Sequence, residues 1–235
     1  MKSYVISLPS SSERRNTIRS RLQALGLQAT VFDAVNGELH PPATRPPRSR
    51  ALSSGEYGCY LSHLQLWKHV ADSEDDYALV FEDDAAPHAH LLQLCYQIIS
   101  SHLEFDLVRL GSNKKLRGRK VLETEHGALL LPTNNPDGSY AYLISRNGAR
   151  KLYSLLREPC HPVDWELNFY WQKSLLVLSV WPPAASHDND LASVIGSVRT
   201  PTPARLSLFS RWQRSLSKRW RIRNLAKHVK TARKT

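Results

Sequence analysis

The chain has 235 residues, enough for one substantial core with or without an appendage, and its 41% hydrophobic residues are ordinary for a globular protein. No apolar stretch is long enough to cross a bilayer, 14 prolines against 10 glycines point to ordered loops, and three unpaired cysteines (Cys59, Cys95, Cys160) indicate neither a disulfide framework nor a thiolate metal site. The formal net charge of +11 suits nucleic acid, an anionic membrane surface or an acidic substrate, and selects none of the three.

Residues 3–8 read as a buried strand. They are too short for a signal-peptide core, so the chain is expected to fold from its start and to remain in the cytosol. Ser10-Ser11-Ser12 offers N-cap hydroxyls to a helix with Glu13 in its first turn, Ile18, Leu22 and Leu25 on one face, and Gly26 as its stop. Ala29-Thr30-Val31-Phe32 is a second strand, ended by Asp33 and Asn36-Gly37. This β-α-β opening is that of a mononucleotide-binding half, although it lacks the G-x-G-x-x-G loop of a dinucleotide site. Residues 41–50 are rich in proline and arginine and read as a loop that is mobile or ordered on binding, after which Ser53 and Ser54 cap a helix running through Glu56 and Trp67.

Tyr77-Ala78-Leu79-Val80-Phe81-Glu82-Asp83-Asp84 is the stretch on which the rest turns. A buried strand there ends in three adjacent carboxylates, which repel one another unless a cation compensates. Ligands of open α/β sheets bind outside the carboxyl ends of strands, and a hard divalent cation takes one or two carboxylates plus phosphate oxygens. A metal–diphosphate site and a solvated acidic turn both fit this triplet. Further on, residues 90–102 read as a helix, 106–111 as strand and turn, 114–120 as a basic loop, 128–131 and 140–145 as strands, and 148–156 as a helix. Val163-Asp164-Trp165 precedes the aromatic Phe169-Tyr170-Trp171, and residues 175–181 form a last strand ended by Pro182-Pro183. Alternating strands and helices predict an α/β fold with a mostly parallel central sheet.

Beyond Ser207, Phe209, Trp212, Leu216 and Trp220 recur at helical spacing, with Leu225 and Val229 further on and arginines or lysines at most other positions. A basic amphipathic helix of this kind suits an anionic membrane interface. A basic helix packed on the domain, a disordered tail and a nucleic-acid arm share the same composition, but the tryptophan stripe fits an apolar surface better than a phosphate backbone.

Several segments together resemble glycosyltransferase family 25, the lipooligosaccharide-type glycosyltransferases of bacteria. They are Ile6-Ser7-Leu8 with Glu13-Arg14-Arg15, then Phe32-Asp33-Ala34-Val35-Asn36-Gly37, and Gly55-Glu56-Tyr57-Gly58-Cys59-Tyr60-Leu61-Ser62-His63 with Trp67. Val80-Phe81-Glu82-Asp83-Asp84, Leu110-Gly111, Ala141-Tyr142-Leu143-Ile144-Ser145, Gly148-Ala149 and Pro162-Val163-Asp164 continue the pattern. The similarity spans about residues 3–196 in order, leaving out the basic tail. It implies a GT-A-like domain over residues 1–198 followed by the tail at 199–235, and an inverting, metal-dependent transfer of galactose or glucose from a UDP-sugar to a lipid-linked oligosaccharide.

The same resemblance implies roles for particular residues. Glu82 and Asp84 stand in the positions of an Asp-x-Asp motif, so Glu82, Asp84 and His187 are expected around Mn2+ or Mg2+. Ser7, Arg14, Arg15, Asp33, His63, Glu82 and Asp83 are expected on the donor, and Tyr140, Tyr142 and Trp165 on the acceptor. Glycosyl transfer builds negative charge on the departing diphosphate, which cations neutralise, and inversion needs a general base. Asp164 is the first candidate for that base and Glu166 its rival. The tail is expected to hold the protein peripherally on the inner face of the cytoplasmic membrane, and no nucleic-acid partner is expected. A non-catalytic carbohydrate- or membrane-binding protein and a basic nucleic-acid-binding protein are the alternative classes.

Overall fold

A computed structural model describes residues 1–40, 52–188 and 208–231. The proline–arginine loop at 41–50 and the expected domain boundary at 198 lie outside the described residues. In β1 (Lys2–Ser7) all but the first residue are buried, as the uninterrupted apolar run predicts. α1 (Ser12–Ala24) follows, then β2 (Thr30–Asp33), which pairs parallel to β1. Gly26, at φ +72°, ends α1 as expected: its N–H donates to Gln23 O and that of Leu27 donates to Leu22 O, both at 2.9 Å. The start of α1 departs from expectation, because its N-cap Ser11 makes no side-chain cap bond.

α2 (Ser54–Asp72) carries the full capping box. Ser53 Oγ accepts from Glu56 N, and Glu56 Oε2 accepts from Ser53 N at 2.9 Å. β3 (Tyr77–Glu82) pairs parallel to the other side of β1, placing Glu82 beside Ile6. The short β4 (Ala85–Pro87), α3 (Leu91–Ser100) and β5 (Leu107–Arg109) come next. β6 (Gly118–Thr124) and β7 (Gly127–Pro132) form a hairpin, and β8 (Ala141–Ser145) leads into α4 (Arg146–Leu155). α5 (Val163–Asn168), a 3-10 turn at Tyr170–Gln172, β9 (Val177–Trp181) and β10 (Ala185–His187) complete the domain.

The sheet order is β2-β1-β3-β8-β5-β9-β7-β6. All but β8 and β7 run in one direction, so the sheet is mostly parallel, as expected. β4 and β10 pair antiparallel in a separate two-stranded ribbon. Three-residue strands carry no period to read, so this ribbon is not legible in the sequence. The basic segment at 114–120 is likewise not all loop, because Gly118, Arg119 and Lys120 begin β6. β6 is an edge strand whose outward positions carry charge, the usual protection of a sheet edge, and this hides its alternation.

α6 (Leu208–Thr231) is the predicted C-terminal helix, and the predicted apolar positions described on it divide between buried and exposed. Ile222, Ala226 and Val229 are buried, with Leu225 half-buried beside them, whereas Trp220 is 64% exposed. The helix packs against the 3-10 turn, where Arg221 donates to Gln172 O at 2.9 Å, and Lys218 donates to Asn135 Oδ1 at 3.0 Å. Spacings of four and three put these three apolar residues on one helical face. The side chains of Phe209, Trp212 and Leu216 lie outside the described residues. No described helix is long and apolar enough to cross a membrane.

Candidate active site

The parallel pairing of β2, β1 and β3 brings three strand ends to one edge, where the chain leaves a cleft of about 320 Å³. Ser7, Glu82, Asp83 and Asp84 line it from the strand ends, Arg14 from α1, residues 34–38 from the loop after β2, and Gly55, Cys59 and Ser62 from α2. That loop is seated by close backbone contact, Val35 N donating to Ser62 Oγ at 2.8 Å. A β-carbon on Gly58 would stand 2.5 Å from Val35 O and 2.6 Å from Gly37 N.

Each carboxylate of the triplet has a different environment. Asp83 is buried, accepting from Ser7 Oγ at 2.5 Å and pairing with Arg14. Asp84 Oδ2 accepts from Arg14 at 2.8 Å and lies 3.3 Å from His187 Nε2, on β10. Asp84 Oδ1 is buried and has no hydrogen-bond partner among the described residues. Burial, and then the charge of Glu82, push the Asp84 carboxyl above the usual range against the opposing pull of His187 and Arg14. Glu82 Oε1 accepts from Ser139 Oγ at 2.6 Å and lies 3.3 Å from His63 Nε2. Burial opposes its ionisation, but the hydrogen bonds from His63 and Ser139 outweigh it and hold the carboxyl below the usual range.

A buried acceptor without a donor is the kind of atom a cation satisfies. Asp84 with His187 therefore fits a divalent ion that completes its shell with phosphate oxygens. Glu82 Oε1 is instead engaged by Ser139 and His63. The trio of histidine, cysteine and carboxylate atoms that lies within 4.8 Å among the described residues is Cys59, His63 and Glu82.

The other expected site residues divide sharply. Arg15 and Asp33 bind each other at 2.6 Å, and Arg15 also donates to Ser7 O at 2.7 Å; neither lines the cleft, so together they tie two strand ends. His63 is fully buried behind Glu82. Tyr142, 1% exposed, cannot face an acceptor; its hydroxyl contacts His63 Nδ1 at 2.9 Å and accepts from Trp67 Nε1 at 3.1 Å. Tyr140 is buried as well, its ring packed over Gly111 and its hydroxyl on Asn113 Oδ1 at 3.2 Å. Glu166 loses its place as a base, since His161 and Lys173 take its two oxygens at 2.9 and 2.8 Å and outweigh burial to hold its carboxyl low.

Asp164 has fewer side-chain partners. Among the described residues its Oδ1 accepts from the adjacent Trp165 N at 2.8 Å, and Trp165 is half-buried with its ring stacked on His161. Burial raises the Asp164 carboxyl, partly offset by Arg109, and its charge acts on Cys59 while that of Glu82 acts on it. Arg109 is the residue that sequence reading missed. Fully buried on β5, it donates to Asp164 O at 2.8 Å and to Pro136 O at 2.5 Å, with its own ionisation lowered by burial to about 10. A charged residue in the middle of an apolar strand, Leu107-Val108-Arg109-Leu110, was the available signal.

The sequence profile of glycosyltransferase family 25 (LPS biosynthesis protein) matches residues 1–166. The chain belongs to this family. A rat (Rattus norvegicus) protein named probable inactive glycosyltransferase 25 family member 3 is 32% identical over 216 residues, covering 78% of this chain and 37% of the rat protein. Human procollagen galactosyltransferase 2 is 28% identical over 166 residues, covering 63% of this chain and 26% of that protein. The chain thus spans less than two-fifths of the length of these relatives. The galactosyltransferase LgtC, solved in complex with donor and acceptor sugar analogues, is 12% identical and covers 80% of this chain and 86% of its own, with a TM-score of 0.43.

Proposed function

We propose that this protein is an inverting glycosyltransferase that moves galactose, or glucose, from a UDP-sugar to a hydroxyl of a lipid-linked, lipooligosaccharide-type acceptor. The observation that carries the reading is the buried Asp84 Oδ1, without a partner among the described residues, on a carboxylate held by Arg14 and His187 in a cleft that the loop after β2 also lines. Asp84 and His187 would hold Mn2+ or Mg2+, whose chemistry when bound is to neutralise the departing diphosphate. Arg14, held on Asp83 and Asp84, supplies a further positive charge to the same phosphates. Asp164 takes the acceptor proton; its raised affinity for protons, from burial, suits a base. The relatives named procollagen galactosyltransferase support a galactosyl donor.

A second reading, a sugar-nucleotide-binding member without turnover, is favoured by the relatives named inactive. Thermal unfolding with UDP, UDP-galactose and UDP-glucose, with and without Mn2+, tests the first reading. Metal-dependent stabilisation is expected, by about 2.7 kcal/mol at a hundredfold excess over Kd. A folded sample that responds to none of them excludes a donor site, and stabilisation with no transfer to any glycolipid selects the second reading.

A further inference from the structure

The buried hydrogen bonds behind Glu82 form a chain with one consistent direction. Trp67 Nε1–H can only donate, so Tyr142 Oη accepts from it at 3.1 Å. The Tyr142 hydroxyl hydrogen then needs an acceptor, and the atom at 2.9 Å is His63 Nδ1. An Nδ1 that accepts leaves the imidazole hydrogen on Nε2, which faces Glu82 Oε1 at 3.3 Å. Ser139 Oγ reaches the same oxygen at 2.6 Å. Trp67, Tyr142 and His63 are all fully buried, and they come from α2 and from β8, the strand paired with β3. The same direction keeps Cys59, His63 and Glu82 from serving as a metal site despite their closeness: the ring nitrogen that would ligate already carries a hydrogen, and releasing it would strand the Tyr142 hydroxyl.

We propose that Trp67, Tyr142 and His63 are a positioning relay that locks His63 as the Nε2–H tautomer and thereby holds the Glu82 carboxylate, by one oxygen, at the floor of the donor cleft. The inference rests on the reading of that cleft as the donor site. With Oε1 engaged from behind by two donors, the carboxylate cannot swing towards Asp84, and its negative charge stays at a set place between the cleft and the Asp164 side. Binding of a donor then involves no reorientation of Glu82.

Two measurements on the full chain decide it. Nitrogen-15 NMR of the imidazoles is expected to show the His63 signal, identified by its loss in His63→Gln, as a single Nε2–H tautomer; in Tyr142→Phe that preference is lost. A wild-type Nδ1–H tautomer overturns the relay. By calorimetry, His63→Leu is expected to weaken UDP-galactose binding about tenfold, and His63→Gln to restore most of it, because the glutamine amide N–H can replace the imidazole donor. A purely structural role predicts that Gln fails as Leu does, or that Leu binds as wild type does, and either result overturns the proposal. If the wild-type protein binds no UDP-sugar, the transferase reading falls, and the tautomer measurement alone decides the relay.

Discussion

Asp84 is half-buried beside another carboxylate, with its Oδ1 buried and unsatisfied among the described residues, and such an arrangement costs the fold stability while leaving an atom for a ligand. Asp84→Asn should therefore leave the unliganded protein as stable as wild type or more so, and abolish the Mn2+-dependent part of UDP stabilisation in thermal melts. Asp164→Asn should lower turnover by about 10²–10⁴-fold, the ordinary worth of a general base, with UDP affinity by calorimetry unchanged. Glu166 behaves in the opposite way. Its folded carboxyl is held low by His161 and Lys173, so its stabilisation is complete above the unfolded value of about 4.3 and is lost as pH falls through the folded one. Denaturant midpoints across this acid range should fall more steeply for wild type than for Glu166→Gln, which should be the less stable of the two near neutrality.

At the scale of elements, the cleft depends on two backbones meeting. The second turn of α2 and the loop after β2 touch at Gly58 and Gly37, where any β-carbon on Gly58 collides with main-chain atoms that have nowhere to go. Gly58→Ala should displace residues 34–38, cost about 1–3 kcal/mol as overpacking does, and weaken UDP binding more than substitutions on α4 of equal cost. Equilibrium unfolding paired with calorimetry separates the two effects. The ribbon of β4 and β10 has a related task, since it carries His187 back to Asp84, and Asp188 N donates to Asp84 O at 2.8 Å to close the turn.

For the molecule as a whole, α6 is both packed and charged. Its buried face belongs to the core, so removing it should lower the thermal midpoint, whereas Arg219, Arg223 and Lys227 are exposed on its outer side with Trp220. An anionic leaflet attracts each such charge by about 1 kcal/mol near the surface. The expected docking of this helix on an anionic membrane predicts that the wild type sediments with vesicles containing anionic lipid and that reversing these three to glutamate abolishes this with the fold intact; a wild type that does not sediment, or undiminished sedimentation of the variant, removes the tail from that role.

Most of the strands and helices in the order β1-α1-β2-α2-β3, the capped start of α2, the Gly26 stop and the acidic end of β3 were legible in the sequence, because each is written in residues adjacent or a few positions apart. Local physics governs them: side-chain periodicity, capping geometry and the clustering of like charge. Which carboxylate does what was not legible. Glu82 depends on Ser139, 57 residues away, and on His63, itself set by Tyr142 at a separation of 79. Glu166 depended on Lys173 and His161, Tyr142 on burial between α2 and the sheet, and α6 on the packing that buries Ile222, Ala226 and Val229. A motif states that charge is present at a strand end; only the packing of distant strands and helices around it decides which oxygen is desolvated, which is paired, and which is left for a ligand.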